Sequence, residues 1–354
     1  MPRVALSPFS AEYAREISGN DAGFVSEIDA ADEMYAFGLH SLRGSADAAA
    51  LLYFSVGRLI ADSLGAVLAW RFDARSPRRL LDFAAGFGRT TRFLARRLGP
   101  GAITVAEIDP AALAFQETAL GLGTRLSPAD AASFDPGREH DAVVASSFFS
   151  HLSEDRFGPW LAALWSAVGP GGVLVFSTHG PSLLGEEADW SRGIVFRPTS
   201  ETARLDPSVY GTSWTTPEFV RDAARRACPG GEFHAIPFGL DGRQDLYAIA
   251  RAPRLPEAAL AIPPVPRGEL DRLEVGPDRL ACEGTLDSEP SAEIVFLACH
   301  AERARIALGP GARPRRWSFA IDLAGIGPDD VLRVEARSPG RVRILAMGTL
   351  RPYL

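Results

Sequence analysis

Leu80-Leu81-Asp82-Phe83-Ala84-Ala85-Gly86-Phe87-Gly88-Arg89-Thr90-Thr91 decides how this chain folds. An apolar run ends on an acid, a turn of small residues follows, and a helix-forming segment begins. Small residues let a ligand approach the backbone closely, and a helix N-terminus presents free N–H groups at the positive end of its dipole. The pattern predicts a strand over 79–83, a glycine-containing turn and a helix over 89–98. In an open α/β sheet such a turn lies at the carboxyl ends of the strands, where nucleotide-like ligands bind. The dinucleotide fingerprint GxGxxG is only half met, by Gly86 and Gly88, with Thr91 in the third place. Glu107 closes the next apolar run, and an acid there suits a ribose diol, because a carboxylate accepts two hydroxyl hydrogen bonds.

Outward from this stretch, short apolar runs alternate with helical segments. Strands are expected over 102–106, 124–127, 141–146 and 172–177, and helices over 111–120 and 159–168. The Gly169-Pro170-Gly171-Gly172 turn opens the fifth strand. An irregular stretch spans 179–216, followed by a helix over 217–228 and strands over 232–238 and 245–251. This order predicts an α/β, Rossmann-like sheet, mostly parallel with an antiparallel edge. Residues 1–76 read as a helical N-terminal cap, with one helix over 46–71 and a break at Ser76-Pro77. The core domain is then 77–252, with 179–216 as its substrate-specificity insertion. A Pro/Ala/Leu-rich linker covers 253–266. Residues 267–354 read as a small all-β, sandwich-like domain, with β-like runs at 280–283, 292–298, 317–323, 331–336 and 341–350.

Composition removes several functions. The 354 residues carry a net charge of -7, a poor balance for a general nucleic-acid binder. All 37 basic residues are arginine, which excludes a lysine Schiff base and a P-loop lysine. The 3 cysteines form no CxxC pair and the 6 histidines no HxH or HExxH pair, so no metal is expected. The odd cysteine number and the lack of a signal-peptide pattern lead to the expectation of a cytoplasmic protein. The stretch 51–70 is apolar, but Arg58 and Asp62 interrupt it, so it reads as a buried helix and no membrane span is expected.

With these residues in view, the segment 78–252 resembles the class I S-adenosylmethionine-dependent methyltransferases. LLDFAAGFGRTTRFLA resembles the family's first motif, with alanines where a small Gly or Cys is usual. ITVAEIDP resembles the second, SPADAASF the third, HDAVVASSFFSHL the fourth-strand motif and VGPGGVLVFSTHG the turn into the fifth strand. The resemblance implies S-adenosylmethionine as cofactor. It implies that Ala84, Gly86 and Gly88 line the cofactor and that Asp82 orients the loop or reaches the methionine amine. Glu107 would hold the ribose hydroxyls with Ile108 and Asp109 beside the adenosine, and Asp130 and Ala131 would border the adenine. Ser146, Ser147 and Phe149 would floor the methyl-transfer site. The N-terminal helices would cap the cofactor, with Tyr35 or Tyr53 touching it. A looser similarity of DEMYAFG, YFSVGRLI and GRQDLYAIAR to methyltransferases that accompany bacterial glycosyltransferases tilts the acceptor toward a sugar or glycan, with a homo-oligomer compatible.

Each of these residues also has a plainer role. The glycines could form only a tight turn, Asp109 and Asp130 could cap helices, and the aromatic residues could pack the insertion onto the sheet. His151 and His179 end two strands at the mouth of the sheet, where an imidazole serves as a general base for a hydroxyl acceptor. Trp190, Tyr210 and Trp214 lie in the insertion and suit sugar or aromatic acceptors. The expected activity is methyl transfer to a small molecule or glycan, at oxygen, by in-line displacement. A nicotinamide-dependent oxidoreductase, a non-catalytic glycan- or partner-binding protein on the same fold, and a nucleic-acid methyltransferase are the rivals. The last lacks its Asn/Asp-Pro-Pro-Tyr/Phe motif, with Ser146-Ser147-Phe148-Phe149 in its place.

Overall fold

The computed structural model describes residues 2–73, 76–137, 139–185, 188–199, 206–207, 210–252, 260, 262–287, 292–309 and 311–353. The chain forms two compact units, Met1–Leu59 with Pro263–Leu354, and Ile60–Ile262.

The N-terminal part is helical, as its composition requires. Pro8 at the first position and the Ser7 hydroxyl, which accepts from the Ser10 N–H, start α1 (Pro8–Ile17). The Asp32 carboxylate caps α2 (Glu33–Ser41) through the N–H groups of Met34 and Tyr35. Helix α3 (Ala46–Phe72) runs from the first unit into the second. By length and composition α3 would cross a membrane, but 67% of its most apolar window is buried in the protein. It is a core helix, consistent with Arg58 and Asp62 interrupting its apolar run.

The second unit holds β1 (Leu80–Phe83), α4 (Thr91–Leu98), β2 (Ile103–Glu107), α5 (Pro110–Leu120), β3 (Gly123–Leu126) and β4 (His140–Ala145). It continues with α6 (Glu154–Ser166), β5 (Val168–Thr178), β6 (Ile194–Arg197), β7 (Thr212–Thr215), α7 (Pro217–Ala227), β8 (Gly231–Ile236) and β9 (Asp245–Arg251). Its seven-stranded sheet has the order β3-β2-β1-β4-β5-β9-β8. Strands β1 to β5 pair in parallel, and β9 pairs antiparallel with both β5 and β8. The chain reverses its strand order between β1 and β4, and a crevice at such a switch point is where α/β sheets bind ligands. Every residue of β1 is buried, which explains its unbroken apolar run apart from Asp82. In the last turn of α3, buried Arg71 donates to the carbonyls of Gly171 and Arg251 and so ties the helix to the ends of β5 and β9.

Two local expectations are corrected here. The helix expected over 159–168 spans Glu154–Ser166, because Glu154 and Asp155 supply an acidic first turn after the N-cap residue Ser153 and Pro159 is accommodated inside the helix. The stretch 179–216 is not wholly irregular, since β6 and β7 pair antiparallel within it. Residues 186–187, 200–205 and 208–209 of that stretch lie outside the described residues, as do 253–259 and 261 of the expected linker.

The first unit also contains β10 (Gly268–Val275), β11 (Arg279–Leu286), β12 (Ala292–Ala298), β13 (Ala301–Leu308), β14 (Arg315–Asp322), β15 (Leu332–Ser338) and β16 (Arg341–Gly348). They form antiparallel sheets β10-β11-β14 and β13-β12-β15-β16 around one apolar cluster that includes Phe296, Trp317, Phe319 and Val334. Helices α1 and α2, and α3 as far as Leu59, belong to this unit. Arg333 of β15 lies over the Tyr13 ring of α1, and His300 faces Glu12 and Glu16 of α1 and the edge of Phe9.

Candidate active site

The loop after β1 is bent by a run of left-handed residues, Ala84 (φ 56), Gly86 (φ 54) and Gly88 (φ 77). An alanine at the first of these meets the demand for smallness but not the demand for positive φ, which costs an L-residue about 1–2 kcal/mol. A Cβ on Gly86 would meet nothing within 4 Å, so space is open above that backbone. A Cβ on Gly88 would lie 2.7 Å from Leu120 Cδ1 and 2.9 Å from Gln116 Oε1, so this glycine is needed for close packing against α5.

Two buried acids hold the loop. Asp82 Oδ2 accepts from the Thr91 hydroxyl at 2.7 Å, joining the end of β1 to the start of α4. Burial pushes its carboxyl up to about 7; the Thr91 hydrogen bond opposes this rise and the Glu107 charge adds to it. Glu107 at the end of β2 accepts from the N–H groups of Gly86 (2.8 Å), Ile108 (2.7 Å) and Asp109 (3.2 Å). Burial raises its carboxyl as well, against the pull of these three N–H groups. A carboxylate offers about four acceptor positions, so three backbone bonds leave capacity for a ligand hydroxyl.

The other cofactor-side residues divide. Asp109 Oδ1 accepts from the Ala111 N–H and caps α5, which is its plainer role. Asp130 is exposed, and Ala131, next to it, is buried at the start of the short turn Ala131–Ser133. Tyr35 belongs to the other unit, buried with its ring edge-on to Tyr53, whose hydroxyl donates to Asp32. Gln116, not singled out in the sequence, donates from Nε2 to the Gly86 carbonyl at 2.7 Å. Its only trace in the sequence is a polar side chain among the otherwise apolar buried residues of α5.

At the ends of β4 and β5 the structure brings His151, His179, Tyr210 and Trp214 together. Strand β7 and the residue before it run between the two histidines. The Gly211 N–H donates to the His151 carbonyl and the Thr215 N–H to the His179 carbonyl. Each imidazole returns the contact, with His151 Nδ1 2.7 Å from the Gly211 carbonyl and His179 Nδ1 3.2 Å from the Ser213 carbonyl. A carbonyl only accepts, so Nδ1 carries the hydrogen in both rings and Nε2 is the basic nitrogen. Burial first, and the neighbouring His151 second, bring the His179 pKa down to about 4, so this ring is neutral near pH 7. A file of flat groups results: Tyr210 stacked on His151 at 4.5 Å, His151 to His179 at 6.4 Å, His179 to Trp214 at 5.9 Å, and the Arg197 guanidinium 5.4 Å over Trp214.

One residue expected on the acceptor side stands elsewhere. Phe149 is corrected to a core residue: it is fully buried against Phe157 and Phe176, and its size and apolarity serve packing. Trp190 is half-buried. Ser146 is half-buried at the end of β4, and Ser147 follows it with φ 60. Among the described residues no three His, Cys, Asp or Glu side chains converge to hold a metal ion.

A sheet reversed between β1 and β4, a glycine loop bracketed by two buried acids and an antiparallel final strand are features expected of a class I S-adenosylmethionine-dependent methyltransferase domain. Residues 81–174 match the model of a methyltransferase domain. The chain is 33% identical over 156 residues to demethylmenaquinone methyltransferase of Thermus thermophilus, which takes in 41% of this chain and 66% of that protein's length. Among solved structures, DesVI of Streptomyces venezuelae aligns with a TM-score of 0.43 at 20% identity, over 64% of this chain and 99% of that one. The sugar N-methyltransferase KedS8 of Streptoalloteichus aligns with a TM-score of 0.41 at 20% identity, over 63% of this chain and 95% of that one.

Proposed function

We propose that this protein transfers a methyl group from S-adenosylmethionine to a hydroxyl of a small molecule or glycan. The observation that carries the reading is Glu107, a buried carboxylate that binds the Gly86 N–H beside open backbone and keeps acceptor capacity for a ribose diol. When bound, S-adenosylmethionine supplies an electrophilic methyl group. Glu107 holds the ribose hydroxyls, the Gly86–Gly88 backbone gives close access, and Ala131 borders the base. Methyl transfer needs the acceptor held in line at near-contact distance, and much of the rate comes from that placement.

The chain's own contribution on the acceptor side is the histidine file. His151 takes the hydroxyl proton at Nε2, because its Nδ1 hydrogen is committed to the Gly211 carbonyl. His179, neutral near pH 7, accepts a hydrogen bond at Nε2 and adds no charge that would repel the cofactor's sulfonium. Tyr210 and Trp214 offer flat apolar faces to a sugar or an aromatic ring. The test is a screen with methyl-labelled S-adenosylmethionine against sugar alcohols, phenols and amines, using wild-type protein and His151→Gln. Transfer to a hydroxyl that falls steeply in the variant supports the reading. Transfer only to amines, equal in both proteins, counts against oxygen as the acceptor atom.

A further inference from the structure

We infer that Gln244 is a positioning residue that sets the turn carrying His151, an inference that rests on the methyl-transfer reading for its purpose. The ends of three strands, β4, β5 and β9, meet in a closed ring of hydrogen bonds. The Ser147 N–H donates to Ser177 Oγ (2.8 Å), the Ser177 hydroxyl donates to Gln244 Oε1 (2.8 Å), and Gln244 Nε2 donates to Ser147 Oγ (3.0 Å). Gln244 is itself fixed, since its N–H donates to Asp241 Oδ1 and its carbonyl accepts from the Leu240 N–H.

The member of the ring that needs support is Ser147. At φ 60 it holds a left-handed conformation that L-residues with a Cβ rarely adopt. From Ser147 the chain enters the turn Phe149–His151, whose start is pinned by the Ser150 hydroxyl donating to the Ser147 carbonyl at 2.7 Å. If Ser147 relaxes toward negative φ, that carbonyl turns away and the turn re-aims. His151 then leaves the Gly211 carbonyl and loses the tautomer that makes Nε2 its basic nitrogen. Gln244 is thus coupled to the imidazole through three links, although 97 positions separate it from Ser147 in sequence. The cofactor loop at Gly86 and Glu107 makes none of these bonds.

Nitrogen-15 NMR of the histidine rings tests this without an identified acceptor, with His151→Gln assigning the signal. Wild-type protein should show His151 in the single Nδ1–H tautomer. Gln244→Leu, which breaks both ring bonds, should replace that signal with the mixed-tautomer signal of a mobile imidazole. Gln244→Glu should retain it, because the Ser147 hydroxyl can turn and donate to the carboxylate. In a Ser147→Gly background Gln244→Leu should change little, because glycine holds positive φ unaided. Should Gln244→Leu not fold, Ser177→Ala breaks the ring at its middle and should give the same loss. A locked His151 signal in Gln244→Leu, or no single tautomer in the wild type, overturns the inference. Titration of S-adenosylhomocysteine into the same samples separates the two readings. Binding should be equal in wild type and Gln244→Leu. Absent binding in a wild type whose His151 is locked removes the methyl-transfer reading and leaves the coupling in place.

Discussion

Replacing Asp82 by asparagine should stabilise the ligand-free protein in alkaline solution and not in acid. Asp82 is 2% exposed, and burial pushes its carboxyl from an ordinary 3.8 up to about 7. Below pH 4 both folded and unfolded chains carry the proton, and the group contributes nothing to the pH dependence. Between about pH 4 and about pH 7 the unfolded chain gives up the proton while the folded one keeps it, so stability is lost as pH rises through this window. Above it the loss is complete and constant. A separation of about three pH units at about 1.4 kcal/mol each sets an upper bound of about 4 kcal/mol. Asparagine does not titrate, and its amide oxygen still accepts from the Thr91 hydroxyl. Its amide nitrogen costs about 1–3 kcal/mol if left unpaired, equally at every pH. The pH dependence of the difference is therefore the diagnostic. Urea unfolding followed by tryptophan fluorescence should show Asp82→Asn gaining about 2–4 kcal/mol relative to wild type on going from pH 4.5 to pH 8. A difference that stays flat across this range refutes the assignment of Asp82 as a carboxyl strained by burial.

Further outcomes follow from the loop. Ala84→Gly relieves a left-handed alanine but frees the unfolded chain, so it should raise stability by a net of about 0.5–1 kcal/mol; a fall in the urea midpoint would show that the Ala84 methyl contributes packing. Gly88→Ala must place a Cβ 2.7 Å from Leu120 Cδ1 at φ 77. It should cost about 2–4 kcal/mol in thermal or urea unfolding, and a neutral outcome would mean that α5 shifts freely.

The loop after β1 was legible because local chemistry dictates it. A strand ending in Asp82, positive-φ positions at Gly86 and Gly88, and an acid closing the next strand are all read within one βαβ unit. The mostly parallel sheet with an antiparallel edge followed from the same alternation. What sequence spacing does not encode is long-range pairing. Gln244 meets Ser147 only because β9 inserts beside β5, and Gln116 reaches Gly86 only because α5 folds back over the loop. Strands β10 and β13 were missed because both lie at sheet edges, where charged residues face water and the apolar alternation is broken. Phe149 followed a strand end, as a floor residue would, but the turn points it into the core. The β6–β7 pair was hidden in a stretch of turn-forming residues whose strands are only four residues long.

The proposed function stands on Glu107 and the glycine loop binding the adenosyl cofactor. The decisive experiment is calorimetric titration of S-adenosylhomocysteine into wild type and Glu107→Ala. Binding should be stoichiometric in the wild type and collapse in the variant, with both proteins folded. A folded wild type that does not bind, or a variant that binds equally well, would contradict it.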